Sequence, residues 1–213
     1  MTPLLRWGNG LLKLELFRPR GSVSDRAPPP EGIPELSGNQ ALSFARAGAE
    51  LALRGAVTHE MRETLNIWGA RVAARGTPWK PDPVVFARTL GAELLEQLEE
   101  PPPLIVGPAG ESAALLGALA AVRERWPQTR AVALVAADAE LPDLPRSVDL
   151  PPAVERVPVH REDAARARSR LGREVGLLAN HAGAAAALYA HEHGGVALVT
   201  ALGEREFSLE AQP

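Results

Sequence analysis

Leu104-Ile105-Val106-Gly107-Pro108-Ala109-Gly110-Glu111-Ser112, LIVGPAGES, joins a short apolar run to a glycine-containing turn and opens a helical pattern running on to Arg125. The same shape returns around AVALVAA (131–137) and GVALVTAL (195–202). Apolar on both alternating faces, such runs read as strands buried on two sides, and their alternation with longer helical patterns predicts a parallel α/β sheet. The pattern places strands near Leu12–Leu16, Ala49–Arg54, Arg71–Ala74, Leu104–Gly107, Ala131–Ala137 and Val196–Leu202. Helices are expected over Gln40–Gly48, Thr58–Trp68, Asp82–Glu99, Ser112–Arg125, Arg161–Arg173 and Gly183–Glu192. Thr58 and Asp82 stand where helix N-caps belong. Proline clusters at 28–30, 101–103 and 151–152 mark rigid connections, because proline fixes φ and donates no ladder hydrogen bond. The first two bracket a segment that reads as a small lobe, residues 34–100, between the two parts of a larger lobe, 1–33 and 101–213. The stretch 141–159, rich in proline and acid, is expected to wander over the surface.

The chain has 213 residues, a formal net charge of -3 and no cysteine. Disulfides, thiolate nucleophiles and Cys-ligated metals are therefore excluded. Without a concentrated basic face, nucleic acid is not an expected partner. No apolar run reaches the ~18 residues of a membrane span, and the opening MTPLLRWGNG has no signal-peptide layout, so a cytoplasmic protein is expected. The basic residues are nearly all arginine, with only Lys13 and Lys80 as lysines, and proline is frequent. Such a composition is compatible with a GC-rich genome or a thermophile. Each lysine reads as an ordinary solvated or snorkelling side chain.

Six landmarks occur in order between residues 2 and 205. TPLLR is followed by LKLE, then by GSVSDR (21–26), then by SGNQ (37–40), then by LIVGPAGES, and last by EVGLLANHAGAAAAL with GGVALVTALGERE. Together they resemble the fold-type-II pyridoxal-phosphate enzymes, the group of cysteine synthase, threonine synthase and the tryptophan synthase β chain. The resemblance implies a two-lobed parallel-sheet fold of the tryptophan synthase β type, shortened here, and an activity in amino-acid metabolism. It also implies a Schiff-base lysine in the GSVSDR loop, where this chain has Ser24. Ser37, Gly38 and Asn39 match the loop that contacts cofactor and substrate carboxylate; Gly107, Ala109 and Gly110 match the phosphate loop; His181 or Ala182 matches the partner of the pyridine nitrogen.

Chemistry makes the departures matter. Schiff-base catalysis needs an amine to hold the aldehyde as an imine, and a serine hydroxyl neither forms an imine nor acts as a base near neutral pH. Pro108 removes a backbone donor from the phosphate loop, and Glu111 puts a carboxylate beside the expected dianion, although an acid at a helix start is also stabilised by the dipole. Alanine offers a pyridine nitrogen nothing. Only thirteen positions separate Ser24 from Ser37, fewer than half of what the resemblance implies, so a helix of the family is expected to be missing beside the site. The expectation is a degenerate homologue, a pseudoenzyme with pyridoxal phosphate absent or weakly bound, retaining a site for a small amino-acid-like ligand. A homodimer or accessory-subunit role is compatible with the resemblance. An active lyase or β-replacement synthase with rearranged residues remains an alternative.

Two further readings stay open. Gly110-Glu111-Ser112 leads from strand to helix as a hydrolase nucleophile elbow does, and Ser112, Asp138 and His160 or His181 follow in hydrolase order; the second glycine of the elbow is replaced by alanine, and the oxyanion segment is missing. GPAG with Asp138 is a fragment of a dinucleotide fingerprint lacking its third glycine. His191 and His193, two apart, do not share a helical face and read as a solvated helix end rather than a metal pair.

Overall fold

The computed structural model describes residues 1–28, 31–36, 38–54, 59–138, 141 and 144–201. In chain order the elements are β1 (Leu4–Trp7), β2 (Gly10–Leu14), β3 (Pro34–Leu36), α1 (Gly38–Arg46), β4 (Leu51–Leu53), α2 (His59–Ile67), β5 (Val72–Ala73) and β6 (Thr77–Pro78). A helical run follows: α3 (Pro83–Phe86), a π turn (Ala87–Gly91) and α4 (Ala92–Gln97). Then come β7 (Leu104–Pro108), α5 (Ser112–Arg125), β8 (Arg130–Ala136), β9 (Val154–Val159), α6 (Arg161–Val175), α7 (His181–His193) and β10 (Gly195–Val199).

Two sheets result. The larger has strand order β1-β2-β10-β7-β8-β9, parallel except for the antiparallel β1-β2 hairpin. The smaller, β5-β4-β3-β6, is parallel throughout. The fold class is thus the parallel-rich α/β architecture expected from the buried runs.

Strand alternation sorts the larger sheet's side chains onto two cores. Val106, Val132, Leu134, Ala197 and Val199 pack with α6 and α7 on one face. Ile105, Ala131, Ala133, Val196 and Leu198 pack with the α3–α4 run and α5 on the other. On this second face helices approach closely enough to require glycine: a Cβ on Gly117 would lie 2.3 Å from the Pro83 carbonyl, and one on Gly91 2.4 Å from the Ala121 methyl.

Several elements depart from the sequence reading. The stretch 141–159 does not end in irregular surface chain: Val154–Val159 forms β9, paired in register with Ala131–Ala136. Its proline and charges fit an edge strand, where one row of backbone groups needs no partner. β1, β3 and β6 were too short or too polar to announce themselves. Asp82 does cap its helix, accepting from the Val84 amide at 2.9 Å; Thr58 lies outside the described residues.

Lys13 is the clearest correction. Neither solvated nor snorkelling, it is fully buried, because β2 is covered on both faces and alternation turns Lys13 toward α4. Its ammonium donates to the Thr2 carbonyl at 2.8 Å, Glu93 at 2.8 Å and Gln97 at 2.6 Å. Arg26, from the GSVSDR loop, joins the same cluster through both oxygens of Glu15, at 2.6 and 2.8 Å, and both oxygens of Glu93, at 2.9 and 2.8 Å. Thr2 completes it, its hydroxyl donating to Glu15 at 2.6 Å. Two cations and two carboxylates are so matched in a site that burial alone would make costly.

Candidate functional site

Chain order across the larger sheet reverses between β7 and β10. From β7 the chain moves outward through α5 to β8 and β9, then returns over the opposite face through α6 and α7 to enter beside β7 as β10. In open α/β sheets the crevice outside the carboxyl ends of the strands at such a reversal is where ligands bind. The head of α5 and the head of α7 flank this crevice from opposite faces.

Three segments meet there. Beyond β10, the Thr200 carbonyl accepts from the Val23 amide at 2.9 Å, Ser22 bridges to Ala201, and the Ala201 carbonyl accepts from the Asn180 amide at 3.0 Å. Asn180 then caps α7, its Oδ1 accepting from the Gly183 amide at 2.7 Å. The loop holding Ser24 is a 3-10 turn, Val23–Arg26, capped by the Ser22 hydroxyl, which accepts from the Ser24 amide at 3.2 Å. Asp25 fastens the turn outward, accepting from the Arg20 amide at 2.6 Å and from the Ser43 hydroxyl of α1 at 2.8 Å.

Ser24 is 1% exposed, and among the described residues its hydroxyl has no hydrogen-bond partner. Thr200 is 0% exposed, and its hydroxyl also has none. Thr200 was missed in the sequence, although a polar residue closing the apolar run GVALV was the available signal. Thr200 follows the last residue of β10, while Leu198 and Val23 belong to the core on the α5 face. The turn holding Ser24 is thus joined to Thr200 through the backbone, by the hydrogen bond from the Val23 amide to the Thr200 carbonyl.

Gly107 ends inside β7, and Ala109 and Gly110 form with Glu111 a 3-10 turn leading into α5. Glu111 is buried, 3% exposed. Across the crevice His181 opens α7, half-buried, next to the buried methyl of Ala182. Burial first, and then the positive charges of Arg168 and Arg161, push the His181 pKa down to about 4. It is neutral at pH 7. Gly38 and Asn39 are the first residues of α1, and Ser37 lies outside the described residues.

The other candidates resolve differently. Asp138 and His160 do meet, at 3.4 Å, but both are exposed beyond β8 and β9, and Asp138 also accepts from the Arg161 amide at 3.1 Å. Ser112 starts α5 and hydrogen-bonds through its side chain to neither His160 nor His181. No triad is assembled. His191 is not a solvated helix end: it packs on Trp7 at 4.5 Å between ring centroids and contacts Arg170 at 2.9 Å. Among the described residues no group of three or more His, Asp or Glu is placed to hold a metal. Nor is any helix there long and apolar enough to cross a membrane.

Pyridoxal phosphate, the group implied by the resemblance, is not matched by these residues. Position 24 presents a hydroxyl, and the two lysines stand elsewhere, Lys13 locked in its buried cluster and Lys80 exposed beyond β6. The turn after β7 combines a proline without an N–H and a buried carboxylate, a poor cradle for a phosphate dianion. The donor set therefore does not fit a covalently held cofactor.

No family model and no curated protein sequence matches the chain. Solved structures do. An O-ureido-L-serine synthase superposes with a TM-score of 0.76 at 21% identity, over 97% of this chain and 90% of that one. A lysine-to-alanine variant of that synthase with O-ureido-L-serine bound gives 0.71 at 20%, over 97% and 89%. An O-acetylserine-dependent cystathionine β-synthase from Helicobacter pylori gives 0.72 at 16%, over 97% and 94%. At these identities the likeness establishes the fold, the two-sheet α/β architecture of the tryptophan synthase β type.

Proposed function

We propose that this chain is a binding member of the amino-acid synthase fold, without Schiff-base chemistry, that takes a small amino-acid-like ligand at the carboxyl ends of β7 and β10. One observation carries the reading. Ser24, in the turn that resembles the catalytic loop, is a buried hydroxyl with no partner among the described residues, in a turn whose own anchors are kept. A decayed loop would lose its anchors along with its nucleophile. Here Asp25 and Arg26 keep theirs, so the turn is still held in place for something.

The similar structures support the ligand class. One is a lysine-to-alanine variant holding O-ureido-L-serine, so this fold takes an amino acid with a lysine removed. A neutral His181 and a pair of uncommitted hydroxyls can bind and orient such a ligand by hydrogen bonds.

The test is spectroscopic and calorimetric. Protein incubated with pyridoxal phosphate is expected to show no aldimine band and no borohydride-fixed adduct by mass. Titration with O-acetyl-L-serine or O-ureido-L-serine is expected to give saturable heat without product formation. An aldimine band abolished by borohydride would instead establish the active-enzyme alternative.

A further inference from the structure

Asp25 places a buried carboxylate between two parts of the molecule. Its side chain is 3% exposed. Oδ2 accepts from the Arg20 amide at 2.6 Å, while Oδ1 accepts from the Ser43 hydroxyl of α1 at 2.8 Å and lies 3.0 Å from Arg20 Nε. A carboxylate taken out of water is costly unless donors fill its oxygens, and one of these donors comes from the far side of the contact. Ser43 is buried as well, and Arg46, three positions on and so on the same helix face, donates to the Arg20 carbonyl at 2.9 Å. The Arg20 guanidinium lies over the Phe44 ring at 5.6 Å. Arg20 and Asp25 on one side, Ser43, Phe44 and Arg46 on the other, form one clasp. It joins the Val23–Arg26 turn, tied to the end of β10, to α1, which packs on the smaller sheet.

The second join is of another kind. Trp79, just past β6, packs against the core of the smaller sheet and against the α5-face core of the larger, and meets Phe44 edge-on at 4.8 Å between ring centroids. Apolar contact is non-directional, so such rings turn on one another at little cost, whereas a hydrogen bond weakens steeply as its angle departs from linear. Trp79 therefore has the character of a pivot, placed where the chain leaves β6 for α3, and the clasp that of a lock against rotation about it.

We propose that Asp25 is a positioning residue, the central acceptor of a lock that holds α1 and the smaller sheet in one orientation relative to the larger. The inference stands on these contacts and does not require the ligand reading above. It makes the molecule preset in one arrangement, rather than one that opens and closes about Trp79.

The chain has no cysteine, so spin labels on Asn66→Cys in α2 and Glu124→Cys in α5, both exposed, report the distance between the two parts by double electron–electron resonance. With Asp25 in place a single narrow distribution is expected. Asp25→Ala is expected to displace or broaden it by about 2 Å or more, the size of a domain rearrangement, and Ser43→Ala, which removes only the bond across the contact, to change it in the same sense by less. Val132→Ala, in the core on the other face of the larger sheet, is expected to lower the urea midpoint and leave the distribution as it was. A broad distribution with Asp25 in place would overturn the inference. So would distributions unchanged in Asp25→Ala and Ser43→Ala, or broadened equally by Val132→Ala, which would mark the clasp as ordinary stabilisation. Should Asp25→Ala not fold, Ser43→Ala decides alone.

Discussion

Arg26 and Ser24 sit two residues apart in one 3-10 turn, and their surroundings are opposite. Arg26 donates to both oxygens of Glu15 and both of Glu93. Ser24, also buried, bonds through its side chain to none of the described residues. One side of the turn is committed wholly to holding β2, α4 and the N-terminal segment together. The other is held still and left uncommitted, which is the arrangement expected where a scaffold presents a group to a ligand.

The largest effect should come from attacking the committed side. Arg26→Leu leaves Glu15 and Glu93 facing each other without their shared counter-ion and is expected to cost about 3–5 kcal/mol in denaturant unfolding. A loss under about 1 kcal/mol would show that the cluster is not a structural anchor. Acid probes the same cluster without mutation. Burial alone would raise the Glu93 pKa, but hydrogen bonds from Arg26, Lys13 and the Thr2 amide outweigh it and hold the carboxyl well below the usual range. A depressed folded pKa means that the stabilisation is fully present above the ordinary glutamate value of ~4.3 and drains away as pH falls below it. Chemical-denaturation midpoints measured between pH 5 and pH 3 should therefore fall, and should fall less in Glu93→Gln.

His181 gives a smaller signal in a different window. The fold prefers its neutral form, so stability is lost as pH drops from the unfolded value of ~6.5 through the folded value of about 4. His181→Asn, which takes up no proton, should narrow the difference in thermal midpoint between pH 7 and pH 5; an unchanged difference would remove His181 from the account of acid sensitivity. The smallest effect belongs to the uncommitted side. Thr200→Val keeps shape and removes an unpartnered hydroxyl, so the stability of the free protein should stay within about 0.5 kcal/mol or rise. A clear destabilisation would erase the contrast between the two sides of the turn.

Much of the architecture was readable from residue pattern. Runs such as AVALVAA are apolar on both alternating faces, and only a strand covered on two sides uses both. The strands that escaped notice, β1, β3, β6 and β9, are short or lie at a sheet edge, where pairing rather than burial defines them. The site was partly readable. Ser24 and Glu111 stood out because their types conflict with the chemistry that the surrounding motifs imply, and Thr200 did not, since nothing in GVALVT shows which face its last residue joins.

What the sequence by itself determined about this protein is its class and its exclusions: a parallel α/β chain without thiol chemistry and with a serine at position 24. Those follow from local periodicity and residue type, which need no knowledge of distant neighbours. Only the tertiary structure decided that Lys13 is a buried anchor while Ser24 is an unanswered hydroxyl. Lys13 depends on Glu93, roughly 80 positions away, and the turn that holds Ser24 is tied by the Val23 amide to the Thr200 carbonyl, roughly 180 positions away, contacts that only the folding of α4 and β10 against the first strands brings within reach.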